Sequence, residues 1–218
     1  MMLFVSNDGV VRSAGAADPK AALDIHPTRL RLLQVATRLF QQRGYHAVGL
    51  AEILALSETP KGSLYHHFPG GKPELAEACI TRIAASTLAA LDEASAKGTD
   101  IIGFLRQLGE ESSAWLERTD WRDGSLLAVI GQEQGGDDSA LADAVRIAYQ
   151  RIEMRLAKWL MLEGVAVARA RDIAATIIAS HEGAMLLARC RRDTTPVALV
   201  TDMLCAMVDR GSIGAPAD

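Results

Sequence analysis

The chain has 218 residues and a mass of 23.3 kDa, with 49% apolar and 23% charged residues. That balance suits one compact domain or two small ones and excludes global disorder. The net charge of −4 does not by itself point to nucleic acid, yet the window from His26 to Arg82 holds seven basic residues against four acidic ones, so a basic segment sits on an acidic body and one end only is suited to a polyanion. Alanine (36 residues) and leucine (26) dominate, and positions 74 to 195 carry no proline, which favours helix and excludes a sandwich or barrel of many short strands. Cys79, Cys190 and Cys205 show no CxxC spacing, which argues for a reducing compartment and against both a disulfide frame and a zinc site. The N-terminal apolar run is too short for a signal peptide, and no run approaches the roughly 20 residues of a membrane span. A cytoplasmic protein without a membrane partner is expected.

In chain order, residues 1–25 lack a sustained period and read as a mobile N-terminal arm. Thr28 is placed to cap a first helix in which Leu32, Leu33, Ala36, Leu39 and Phe40 recur at helical spacing, with Gly44 at its end. A short second helix carries Leu50, Ile53 and Leu54 on one face. Thr59 is expected to cap the third, with Pro60 in its first position, where a missing N–H is harmless. That helix reads Lys61-Gly62-Ser63-Leu64-Tyr65-His66-His67-Phe68 and is stopped by Pro69-Gly70-Gly71. Pro73 opens a long helix to about Ala96. Further helices are predicted over about 100–119, 125–134, from a cap near Asp137-Asp138 onward, 168–191 and 195–209, the last with Thr195 as cap. The fold class is therefore all-α, about nine helices. The boundaries expected are an arm over 1–25, a unit of three helices over 26–72 and a larger all-helical unit over 73–212.

Two short helices joined by about four residues, the second apolar only at Leu64 and Phe68, form a helix-turn-helix pattern. The first helix packs the second onto the body, and the second then offers its polar face to a DNA major groove. Gly62 and Ser63 allow close backbone approach, Lys61 and Lys72 supply charges for phosphates, and Tyr65, His66 and His67 supply donors for phosphate or base edges. Charge and period alone leave a plain helical protein as an equal reading, with Tyr65 as a packing residue and His67 bonded to backbone. The adjacent histidines point in different directions and have no third ligand, so no metal is expected.

These residues reach a known family. KGSLYHHFPGGKPELA at 61–76 resembles the DNA-binding motif of the tetracycline-repressor (TetR) family, and LLQVATRLFQQRGYHAVGLAEIL at 32–54 resembles its first two helices. HEGAMLLARCRRDTTP at 181–196 is similar to the ligand-binding and dimerisation end of the LmrA/YxaF-like branch. The resemblance implies a homodimeric, all-helical repressor with DNA contacts at Thr59, Pro60, Lys61, Gly62, Ser63, Tyr65, His66 and His67, and with Lys72 on a phosphate. The partners implied are a palindromic double-stranded operator, a small apolar or aromatic effector, and a second copy docked through the last two helices (about 168–209). Two departures stand out. Val48 replaces a hydroxyl that in many relatives caps the second helix and meets a phosphate. Glu58 stands where the turn often has glycine, so a left-handed backbone there would carry about 1 kcal/mol of strain.

The C-terminal half holds Trp115, Trp121 and Trp159 with Phe104 and Tyr149, walls that suit an apolar ligand. Ala174, Ile178, His181 and Met185 share one helix face, and Ile173, Ile177, Ala184, Leu187 and Ala188 another. One face is expected to meet the interior and one a second subunit. The predicted ligand set is Trp115, Trp121, Glu133, Tyr149, Ile178, His181, Glu182 and Met185, with Glu133 and Glu182 as polar anchors. Singly, each aromatic reads first as a core residue, and His181 first as a satisfied core histidine. An enzyme is disfavoured: His181-Glu182 starts an HExxH that fails at Met185, and GxSxG, GxxxxGK[ST] and GxGxxG are absent. No cofactor is expected. A constitutive helix-turn-helix DNA binder without a small-molecule ligand is the alternative.

Overall fold

The computed structural model describes residues 26–134 and 139–212. The arm over 1–25 and the Asp137-Asp138 cap fall outside them. Among the described residues the chain is helical throughout: α1 (Pro27–Arg43), α2 (Leu50–Leu56), α3 (Lys61–His67), α4 (Lys72–Ala96), α5 (Ile101–Arg118), α6 (Leu126–Gln134), α7 (Ala140–Leu162), α8 (Val167–Arg191) and α9 (Thr195–Ser212).

The helix ends follow local chemistry. Asp100 caps α5 by accepting from the Gly103 N–H (2.7 Å), and Ser139 caps α7 by accepting from the Ala142 N–H (3.2 Å). Several caps differ from the expected ones. His26, not Thr28, caps α1, with Pro27 at the first position. Pro60, with extended ψ of 146°, is itself the N-cap of α3, and Thr59 turns its hydroxyl to the Ser57 carbonyl (3.0 Å). At α9 the Asp193 carboxylate accepts from both the N–H and hydroxyl of Thr195, and Val197 and Ala198 donate to the Thr194 carbonyl. For Thr59 and Thr195 the hydroxyl expected to cap has a competing partner that sequence spacing does not reveal.

α4 runs the length of the molecule. It packs on α1 at its start and on α7 further along; α7 then packs on α6 and α8, α8 on α9, and α9 on α5. One continuous core joins Leu33, Phe40, Ile53, Leu64 and Phe68 of the first three helices to Ile80, Leu91, Leu105, Ile130, Leu160 and Ile177. A smaller cluster gathers Trp115, Leu116, Ala184, Met185, Ala188 and Val197 where α5, α8 and α9 meet. α5 and α9 approach closely at Gly109, where an added Cβ would run into Thr201. No helix among the described residues is long and apolar enough to cross a membrane.

The outward face of α8 is not the one the spacing picked. Ile173, Ile177, Ala184 and Ala188 are buried within the chain, and the solvent face runs through Ala175, Ala179, Gly183, Leu186 and Leu187. Apart from Leu187, both apolar stripes of α8 are consumed by helices of the same subunit, because α5, α7 and α9 flank it on more than one side.

Candidate functional site

Two places carry polar groups that the core does not use. The first is α3. Leu64 and Phe68 are 0% exposed and clamp the helix to α1 and α4, burial worth roughly 1.5–3 kcal/mol each. Lys61, Gly62, Tyr65 and His66 are exposed as a consequence of the 3.6-residue period, while Ser63 and His67 are half-buried. The Lys61 ammonium lies 5.9 Å from the Tyr65 ring centre. His67 lies between His26 (ring centres 4.9 Å apart, tilted) and His66 (5.0 Å, edge-on), and loss of hydration followed by the His26, His66 and Arg29 charges lowers its pKa. A Cβ on Gly62 would meet nothing within 4 Å, so nothing inside the subunit demands glycine there. Thr59 is buried, its hydroxyl already spent on Ser57; it shapes the turn, whereas Pro60 is exposed. Glu58 has φ of 49°, the left-handed backbone expected from its place in the turn. Val48 is 0% exposed, and Gly49 caps α2 with no side-chain bond.

The second place is a cavity of about 100 Å³ among α1, α4, α5, α6, α7 and α8. Its walls are mostly apolar, with Ile83, Phe104, Leu126 and Ile177 among them, and its polar groups are few: Gln41, Thr87, Ser125, Tyr149, His181 and Glu182. Tyr149 (3.0 Å) and Ser125 (2.9 Å) both donate to Oε1 of Glu182. Burial raises the Glu182 carboxyl above the usual carboxylate range against the pull of those two donors, and burial with the nearby Glu182 charge raises the Tyr149 phenol. Burial alone lowers His181 to about 4, so its imidazole is neutral, with Nε2 3.4 Å from Ser112 Oγ.

The cavity and the α3 unit are joined by a set of cross-links. Glu133, at the end of α6, accepts from the backbone N–H groups of Tyr45 and His46 (3.3 Å to the latter), and the Gln134 amide donates to His46 Nε2 (2.9 Å). Gly44, at φ 83°, admits this carboxylate, since a Cβ would strike it. Lys72 lies 4.1 Å over the Tyr45 ring, and burial lowers its pKa against the favourable Glu133 charge. Nearby, Arg189 of α8 donates to the carbonyls of Trp121 (3.1 Å) and Arg122 (2.7 Å), and the Gly124 N–H donates to Gln41 (3.0 Å).

Comparisons with known proteins agree with this architecture. Residues 32–79 match the profile of bacterial regulatory proteins of the tetR family, and 102–203 match the C-terminal domain of LmrA/YxaF-like transcriptional regulators. A helix-turn-helix transcriptional regulator of Mycobacterium tuberculosis H37Rv is 32% identical over 177 residues, covering 79% of this chain and 89% of that one. The chain belongs to the TetR family, in its LmrA/YxaF-like branch. Bacillus subtilis YxaF and LmrA are each 28% identical, over 83% and 84% of the chain and 95% and 97% of theirs. A TetR regulator of Rhodobacter sphaeroides superposes with a TM-score of 0.73 at 24% identity, covering 83% of this chain and 98% of that one; one from Legionella pneumophila gives 0.72 at 23%, covering 84% and 97%. These two show the shared fold. As a TetR-family member the protein is a DNA-binding transcriptional regulator of a kind that dimerises, and its relatives are regulators, not enzymes.

Within this TetR-family chain the predicted ligand residues separate. Tyr149, Ile178, His181 and Glu182 come together on the cavity wall. Trp115, Trp121 and Met185 pack instead in the smaller apolar cluster, and Glu133 binds the Tyr45–His46 backbone. A stripe gives the face of a helix but not the depth of the void it passes, and Met185 lies one turn beyond the cavity's end. Sequence reading missed Gln41, Thr87 and Ser125. Thr87 and Ser125 had no signal, and Gln41 is read as an ordinary polar residue of α1 although it is 4% exposed.

Proposed function

We propose that the protein is a ligand-responsive repressor that binds a palindromic operator as a homodimer and is released by a small apolar or aromatic effector. The reading divides labour as the sequence suggested: residues 26–72 read DNA through Lys61, Gly62, Ser63, Tyr65, His66 and His67, and 73–212 hold effector and partner. Lys72, poised over Tyr45, is assigned to a phosphate at the start of α4. The observation that carries the reading is that the cavity wall includes Gln41 of α1 and the first turn of α6, whose far end grips the Tyr45–His46 loop ahead of α2. An occupant that parts α6 from α1 therefore acts on the segment that orients α3.

At about 100 Å³ the cavity is well below the 300–1,000 Å³ of a drug-sized site, so a larger effector has to open it. A two-state shift follows: the empty form favours one spacing of the α3 pair, the filled form another, and a differential affinity of roughly 1–3 kcal/mol gives a useful response. The twofold mate is assigned to α8 and α9, where Leu186, Leu187, Leu199 and Met203 are exposed together. Anisotropy titration of a duplex from the protein's own upstream region, with and without an aromatic compound library, tests the reading. Tight binding reversed by a cavity-filling compound supports it; binding by a monomer, or binding that no cavity ligand alters, refutes it.

A further inference from the structure

We propose that the effector's polar end is a protonated amine, seated on Oε2 of Glu182. The proposal rests on the reading of the cavity as the effector site. Both donors that reach Glu182, Ser125 Oγ and Tyr149 OH, converge on Oε1. Oε2 is buried and has no hydrogen-bond partner among the described residues. A buried carboxyl oxygen left without a donor is an expensive vacancy in a folded core, and this one belongs to a side chain that lines a cavity.

The rest of the wall decides what fills it. Among the described residues no lysine or arginine lines the cavity, and His181 is held neutral by its burial. Thus an anionic ligand would meet a carboxylate and no cation. The two donors on Oε1 fix the carboxyl plane and leave the other oxygen without a donor, on a residue of the cavity wall. A ligand cation is desolvated on entry, but it meets an oriented carboxylate whose other oxygen is already satisfied, the geometry in which a buried pair is favourable. Burial has raised the carboxyl of the empty form; an ammonium beside it restores ionisation. The apolar remainder of the ligand then lies against Ile83, Phe104, Leu126 and Ile177.

The test uses three slim isosteres on the full chain: n-butylamine, 1-butanol and butyrate, followed by calorimetry and thermal shift at pH 7.5. The amine is expected to bind at least about tenfold more tightly than the alcohol, with butyrate weakest, as for a hydrogen bond to a charged group. Glu182→Gln, a near-isosteric change, is expected to bring the amine down to the alcohol's affinity and leave the alcohol unchanged. The wild-type series stands without the variant should it misfold. Tyr149→Phe is a second check: it removes a donor from Oε1 and should keep the preference for the amine. If butanol or butyrate binds as tightly as the amine, or if Glu182→Gln leaves the amine's affinity intact, the cation assignment fails and the cavity remains an effector site. If no probe binds, hexyl and benzyl homologues included, both readings fail.

Discussion

The outward face of α3 and the wall of the cavity both display polar side chains that the fold leaves idle, yet they are built on opposite terms. On α3 and its C-cap eight residues suffice: Leu64 and Phe68 turn inward, so Lys61, Tyr65 and His66 must turn outward into water. Their groups stay hydrated until a polyanion arrives. In the cavity, Ser125 just ahead of α6, Tyr149 of α7 and Glu182 of α8 are separated by up to 57 residues in the chain, and they are partly buried. The first surface is cheap to maintain and weakly specified by its surroundings. The second is held by the whole bundle, and its charge states are set by burial. On the proposed reading, DNA contact is local to α3, and the effector sits where any change of packing is felt by several helices at once.

The sharpest way to break this contrast lies in α3 and its C-cap residue. Phe68→Ala should lose about 3–5 kcal/mol of unfolding free energy, whereas Tyr65→Ala, one turn away on the wet side, should stay within about 1 kcal/mol of wild type while operator affinity drops roughly tenfold or more. Urea titration and anisotropy measure the two arms; equal destabilisation by both would mean that α3 has no free face.

Next in size is the pH response of the cavity wall. His181 is lowered to about 4 in the folded chain from an ordinary value near 6.5. Between those values the unfolded chain takes up a proton that the native one refuses, so wild-type stability falls as pH falls from about 6.5 to 4, by at most about 1.4 kcal/mol per pH unit from this group. Replacing it in a His181→Gln variant should flatten that part of the curve. Denaturant midpoints at pH 7 and 4.5 for both proteins decide it, and parallel curves would show that His181 is hydrated after all.

Two smaller effects sharpen the reader. Gly62→Ala should leave stability unchanged or raise it by up to about 1 kcal/mol, since alanine favours helix and the site is open, yet weaken DNA binding by a similar amount. Full affinity in that variant would show that no groove approaches α3 there. Lys61→Ala should reduce affinity evenly across sequences and lower the salt dependence of binding by about one unit of log–log slope; an unchanged slope would remove Lys61 from the phosphate contacts.

The sequence yielded α3 almost residue by residue because its evidence is local. A period of 3.6, one proline and a stop of Pro69-Gly70-Gly71 fix which side chains can be buried. Glu58 was legible too, as a non-glycine in a turn that needs positive φ, and it sits at 49°. The cavity was half-legible. Tyr149, Ile178, His181 and Glu182 were found, but Trp115, Trp121 and Met185 were placed with them because bulk and stripe position were the only guides. The consecutive left-handed residues Asp120 (φ 50°) and Trp121 (φ 61°) left no trace in local sequence. That strained turn is held by Arg189, 68 residues away, through the Trp121 carbonyl.

What the amino-acid string determined alone was its helical character, the order of its elements and the polar edge of α3, because propensity, period and turn chemistry act over a few residues. What tertiary structure alone decided was where the void falls, which carboxylate faces it, and that Glu133 ties α6 to the loop before α2. Those outcomes depend on which distant helices meet and how far water is driven from between them, and no short window of sequence records either.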